Sequence, residues 1–242
     1  VAAGVTLFEL LSIDSKMIPS VGAGVVAVAL TGVGLVVKSK LKNPENHIVP
    51  DPKPGLVNFM MSIVAYFRGL LDTIIGHGSD RYLTIVCGTF LFILFSNYSG
   101  LLPGWLPPTE SLYTNLAMAG FIFVFYNLLG LKEHGFHYFK QFTGGLPPSG
   151  YNIGLTLVLV GIAGLIIVIE VVGHVFRVAS LSLRLFGNMY GDHTLLGTVS
   201  GLVPLIVPVG ALALGMFVGL IQALVFSLLT TVYIKLAVSH DH

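Results

Sequence analysis

Glu170, Arg177, Arg184 and Asp192 are the only formal charges between Gln141 and Ile234, in a stretch that is otherwise almost entirely apolar. His174, Asn188 and His193 lie among them. Carboxylates, histidines and an arginine in an apolar setting are the side chains of ion and proton paths. Arg184 is the costly member. A guanidinium at mid-bilayer costs about 3 kcal/mol on insertion scales and about 10 kcal/mol or more on an isolated helix in simulation. It cannot escape by deprotonating, because its pKa stays above about 12. Some interaction must offset that charge.

Helical spacing puts these groups on one stripe. At about 100° per residue, Arg177 lies about 20° from Arg184, and Glu170, Ser180 and Asn188 about 40° from it. Gly173 and Gly191 fall within about 20°, while His174 and Asp192 flank the stripe at about 80°. Such a stripe faces protein or water and not lipid. A structural ion-pair network is the plainer alternative, but the axial distances oppose it. Glu170 stands about 21 Å from Arg184 along the axis and Asp192 about 12 Å. Glu110 lies just outside another apolar segment and can approach only from its outer end. The counter-ion of Arg184 is therefore expected from another subunit, or to be mobile. In the following apolar segment, Gln222 and Tyr233 share a face about 20° apart, with Gly215 and Gly219 spaced as in a small-xxx-small contact surface. Gln222 is expected to hydrogen-bond Arg184 and hold it without neutralising it.

The elements that position these residues are membrane helices. The chain is 55% hydrophobic and 10% charged, with a mean hydropathy of +0.90, whereas a soluble domain carries roughly a quarter charged residues. The fold class read from this is all-α: a polytopic membrane protein. Segments of about 20 apolar residues give five passes: Val21–Val37, Tyr82–Leu102, Tyr113–Leu131, about Ile153–His193 and about Leu202–Lys235. Leu56–Ile75, with Arg68 and Asp72, reads as an amphipathic helix at the membrane surface. The last two segments are too long for upright spans and must tilt, kink or lie along the membrane, with Pro204 and Pro208 as a place to bend. Two regions follow: 1–54, with the first span and a polar linker, and 55–242, a helical domain ending in a long hairpin over about 153–236. Lys38, Lys40, Lys42, Arg68, Arg81, Lys132, Lys140 and Lys235 fall on one side of five crossings, and the loops Pro103–Leu112 and Leu196–Gly201 on the other side have no Lys or Arg. The positive-inside rule then puts the N-terminus outside and the C-terminus in the cytoplasm. The opening at Val1, without Met and without a signal-peptide pattern, reads as a processed or trimmed start.

Ser182-Leu183-Arg184-Leu185-Phe186-Gly187-Asn188-Met189-Tyr190 closely resembles the signature of subunit a of the rotary F-type ATP synthase. Glu170, Arg177 and Asn188 match the family's polar positions around the essential arginine, and Ile221-Gln222-Ala223-Leu224-Val225-Phe226 with Tyr233 resembles its final helix. Asn97, Leu101-Leu102-Pro103 and Thr114-Asn115-Leu116-Ala117-Met118-Ala119 resemble its earlier spans. The resemblance implies a stator subunit pressed against a ring of c-subunits, with two half-channels meeting near Arg184. Arg184 would favour the ionised carboxylate of each passing c-subunit and block leakage between the half-channels. Glu170, with His174, would line the inner half-channel; Asp192 and His193, with Glu110, the outer one. Many relatives carry an acid where this chain has His193, and some a histidine at the position of Gly215; here the acid is Asp192, one residue earlier. The implied partners are the c-subunit ring, b-type peripheral stalk subunits, the whole F1Fo complex and membrane lipid. The implied home is a bacterial inner membrane, or alternatively a thylakoid or mitochondrial inner membrane. H⁺ is the default ion, with Na⁺ decided on the c-subunit.

Other functions are weighed on the same residues. A secondary transporter with a midplane arginine is the main alternative, and it usually shows internal repeats; none is convincing here. A purely structural anchor has no need for an unpaired arginine. No P-loop, metal motif or nucleophile constellation points to chemistry by this chain alone or to a cofactor. A net charge near zero without a Lys/Arg cluster argues against nucleic acid as a partner.

Overall fold

Inside a bilayer every backbone N–H and C=O must find its partner within the protein, so an apolar chain of this kind folds into helices. A computed structural model describes residues 17–40, 55–76, 78–100, 102, 105–135, 153–202 and 206–238. These form α1 (Ile18–Lys40), α2 (Leu56–Ile74), α3 (Asp80–Ser99), α4 (Leu112–His134), α5 (Ile153–Leu202) and α6 (Ile206–Val238), with a 3-10 turn at Pro108–Glu110. All of the α-helices except α2 are long and apolar enough to cross a membrane. Among the described residues the architecture is all-α with five helices long and apolar enough to span, as hydropathy leads one to expect.

Helices surrounded by lipid gain little from apolar burial alone, so close packing and hydrogen bonds hold them together. α3 packs on α6 more extensively than any other pair, and α4 packs on both α5 and α6. Phe67, Val86, Ile93, Ile122, Leu185, Phe226 and Ile234, drawn from five helices, meet in the core. α1 lies against α3 and the 3-10 turn, where Gly22 admits the Pro108 ring. α2 is one-sided, with Met60, Phe67 and Leu71 buried. It folds back along α3 through Gly76 (φ 92°) and Gly78 (φ 86°), a backbone conformation that glycine adopts without a Cβ penalty. Across that corner Ser79 donates to Asp72, and Arg68 grips Asp80 at 3.0 Å and 3.1 Å.

Two boundaries differ from the hydropathy reading. α3 stops at Ser99 rather than running to Leu102, and at its C-cap Gly100 the chain passes so close to Pro107 that a Cβ would stand 2.9 Å from its Cγ. α5 continues to Leu202, so Leu196–Gly201, expected as an outer loop, is helical. Thr194 and Thr198 satisfy their hydroxyls within that turn by donating to Tyr190 O and Thr194 O, each at 2.8 Å. Pro208 lies in the first turn of α6, where a missing N–H leaves no bond unmade. Pro204 lies outside the described residues, as do Lys42 and Lys140.

α5 has 50 residues and extends about 75 Å, against a hydrocarbon core of about 30 Å. It cannot stand upright within that core. α6 returns antiparallel to it: Arg177 faces Tyr233, Asn188 faces Gln222, and Asp192 faces Gly215. At the other end of the bundle Arg81 of α3 pairs with Glu133 of α4 at 2.8 Å, with side chains 56% and 28% exposed. Solvent screening keeps such a pair small, so Arg81→Ala is expected to cost less than about 1 kcal/mol. Thermal unfolding of the detergent-purified protein checks this; a drop in midpoint beyond a few degrees contradicts it.

Candidate ion-translocation site

α5 turns Leu181, Ser182, Leu185 and Met189 into the bundle. Arg184 lies off that face and is exposed. Among the described residues it has no ion-pair or hydrogen-bond partner. Beside it Gly187 and Gly191 open outward, and a Cβ on either would touch nothing within 4 Å. The expected Gln222–Arg184 hydrogen bond is not formed. Gln222 is buried and accepts instead from Asn188, whose Nδ2 lies 2.9 Å from Gln222 Oε1. The reason is geometric: Gln222 looks into the α5–α6 interface, and Asn188, one turn beyond Arg184, is the α5 residue that faces it.

Towards the N-terminal part of α5 a second group gathers. Glu170 Oε1 lies 3.4 Å from His174 Nδ1 and 3.9 Å from Arg177 Nη2. Arg177 also stands over the Tyr233 ring at 5.4 Å. His174 is buried and packs edge-on against Phe123 of α4, 5.7 Å between centroids. One carboxylate thus serves a histidine and an arginine within one polar cluster, about 21 Å along the axis from Arg184 at its far end.

Beyond Arg184 in the other direction lies the third group. Glu110, at the end of the 3-10 turn, puts Oε2 3.0 Å from His193 Nδ1. Asp192 and His193 line a small cavity of about 30 Å³ with Asn97, Gly100, Met189 and Gly215. That is space enough for a water molecule, which needs roughly 10–15 Å³ by the same measure and polar partners. Across the hairpin Gly215 faces Asp192, whose Oδ2 would lie in ordinary contact, 3.6 Å, with a Cβ there. The glycines Gly215 and Gly219, expected as a packing surface, do pack: Gly215 on Asp192, and Gly219 on Asn97.

The ten side chains read as site residues thus fall into four places on and beside the hairpin: Arg184 alone, Asn188–Gln222 next to it, Glu170–His174–Arg177–Tyr233 on one side, and Asp192–His193 with Glu110 of the 3-10 turn on the other. Asn97, Asn115 and Gly100 enter these surroundings without having been read as site residues. Asn97 is buried in the polar wall of the cavity, and its Nδ2 donates to Gly219 O at 3.1 Å. Its signal in the sequence was a lone amide in an apolar helix. No group of His, Cys, Asp and Glu able to hold a metal is found among the described residues.

A family model described as ATP synthase A chain matches residues 21–235. The chain belongs to that family. Subunit a of ATP synthase from Bdellovibrio bacteriovorus is 35% identical over 237 residues, covering 94% of this chain and 98% of the relative. ATP synthase subunit a 1 of Syntrophotalea carbinolica is 38% identical over 220 residues, 91% of this chain and 85% of its own. Subunit a of Citrifermentans bemidjiense is 39% identical over 210 residues, 87% and 85% respectively. The matched span takes in every described helix that bears a polar site residue. Membership in the ATP synthase A chain family assigns the chain to ion transport linked to ATP synthesis, as a multi-pass membrane protein.

Proposed function

We propose that this chain is the ion-translocating stator subunit of a rotary ATP synthase, with Arg184 as the fixed cation that meets a carboxylate on each passing subunit of a c-ring. The observation that carries the reading is the isolation of Arg184: exposed on α5, without a partner among the described residues, beside glycines that leave room for a second surface to approach. An unpaired guanidinium at membrane depth needs an anion, and a ring carboxylate supplies one.

The two polar clusters are then the ends of two half-channels. Glu170 with His174 and Arg177 serves the inner one, which opens to the cytoplasm. Asp192, His193, Glu110 and the small cavity serve the outer one. Neither cluster reaches the other, so an ion crosses only by riding on the ring past Arg184. Asn188 and Gln222 hold the hairpin in register at the level of the arginine, and Tyr233 stacks under Arg177. The N-terminus lies outside, and the b-type stalk holds the subunit still while the ring turns. H⁺ is the proposed ion.

Purification through a tag on this chain tests the assembly. A ring of small hairpin subunits copurifies if the reading holds; recovery of the chain as a lone transporter contradicts it. Arg177→Ala provides a graded check. Its contact with Glu170 is long and its side chain 31% exposed, so ATP-driven pumping in membrane vesicles is expected to fall by less than about fivefold, the worth of one weak ion pair. Complete loss of pumping would show that Arg177, and not Arg184, is the essential charge.

A further inference from the structure

Asn115 lies in the first turn of α4 and is fully buried. The 3-10 turn before it spends its carbonyls in order. Pro107 O accepts from Glu110 N at 3.1 Å, and Pro108 O from Ser111 N at 3.2 Å. Thr109 O, in a residue 1% exposed, is taken by the side chain of Asn115, whose Nδ2 donates to it at 2.7 Å. A buried carbonyl left without a donor is costly, so this bond fixes where the turn sits. Thr109 is the residue directly before Glu110. On its other side the Asn115 backbone carbonyl lies 3.3 Å from Ser182 Oγ of α5, whose single hydroxyl hydrogen has its shorter acceptor in Val178 O at 2.8 Å. α5 is the helix that carries His193. Asn115 therefore clasps the turn that carries Glu110 and touches the helix that carries His193.

We propose that Asn115 is a positioning residue that sets the Glu110 carboxylate against His193 and so keeps the outer ion path connected. The proposal rests on the outer half-channel reading of Glu110 and His193. Asp192 is the other charged group at this place, and it lies beside His193 on the cavity wall. Leu has the branched shape of Asn without its donor, and its methyl cannot approach Thr109 O to the 2.7 Å of the amide, so Asn115→Leu removes the clasp and pushes the turn away. Without the clasp the turn is free to drift and Glu110 leaves His193.

The test uses the whole complex in native membranes. Asn115→Leu is expected to lower ATP-driven pumping about fivefold, the worth of one buried hydrogen bond, with normal amounts of assembled complex. In a Glu110→Gln background the same change should add no further loss, because residues acting through one contact are not additive. An equal fractional loss in both backgrounds, or native pumping in Asn115→Leu, overturns the proposal. A second readout is independent of flux: Glu110→Cys with His193→Cys, joined by a short thiol crosslinker, should link efficiently with Asn115 present and poorly with Asn115→Leu. Unchanged crosslinking also overturns it. If Asn115→Leu does not accumulate, Asn115→Ser carries both readouts. Native pumping in Glu110→Gln alone would sink the ion-path reading of Glu110, while the crosslink would still decide what Asn115 does.

Discussion

Arg184→Ala is expected to abolish coupled ATP synthesis and ATP-driven pumping while the subunit remains inserted and assembled. Assembly should survive because Arg184 contributes no ion pair or hydrogen bond among the described residues and lies outside the packed face of Leu181, Leu185 and Met189. Function should fail for an electrostatic reason. An opposite charge within about 4–6 Å lowers a carboxylate pKa by about 1–3 units, a ten- to thousandfold preference for the ionised form. On the proposed mechanism, a ring carboxylate without it would keep its proton as it passes, and nothing would be delivered to the outlet. The barrier between the two polar clusters is lost as well, so passive proton leak through vesicles should rise. Arg184→Lys should fall in between, since an ammonium is a compact charge that can deprotonate when desolvated, whereas a guanidinium stays charged. Pumping and leak measured side by side in vesicles give the answer. Normal coupling in Arg184→Ala would remove the mechanism.

The isolation of Arg184 is legible in the sequence because it depends only on helical geometry: acids separated from it by several turns cannot reach it from the same helix. The five spans are legible for an equally local reason, the length of each apolar run. What spacing does not give is the partner across an interface. Gln222 and Asn188 were both visible as polar positions, yet which α5 residue faces Gln222 depends on how the two helices are rotated about their axes, and that is set by packing along the whole hairpin. α5 runs on past His193 because Thr194 and Thr198 close their hydrogen bonds within the helix, which residue type alone does not reveal. Asn97 and Asn115 show in the sequence only as lone amides in apolar segments, and their roles are not legible because each acts through a backbone carbonyl of another element, Gly219 O or Thr109 O. A carbonyl acceptor leaves no residue-type signal.

Gly219→Leu is expected to prevent stable assembly. Gly219 is buried where α6 crosses α3, the most extensive helix contact in the bundle. A Cβ there already stands 3.3 Å from Asn97 Cβ and 3.7 Å from the Tyr98 ring, so the remaining atoms of a leucine have no free space. Overpacking of this kind costs about 1–3 kcal/mol. Separation of the helices also breaks the bond from Asn97 Nδ2 to Gly219 O, worth about 1 kcal/mol. The total, about 2–4 kcal/mol, is a large part of the marginal stability of an ordinary domain. The damage should extend to the site, because α6 carries Gln222 one turn further on and Asn97 lines the cavity with Asp192 and His193. Gly210→Leu is the matched control, since a Cβ at that exposed position meets nothing within 4 Å. Membrane-inserted subunit recovered in the assembled complex should be much reduced for Gly219→Leu and close to native for Gly210→Leu. Equal recovery of the two would mean that the α3–α6 crossing tolerates a side chain, and that Asn97 is not held against α6 as described.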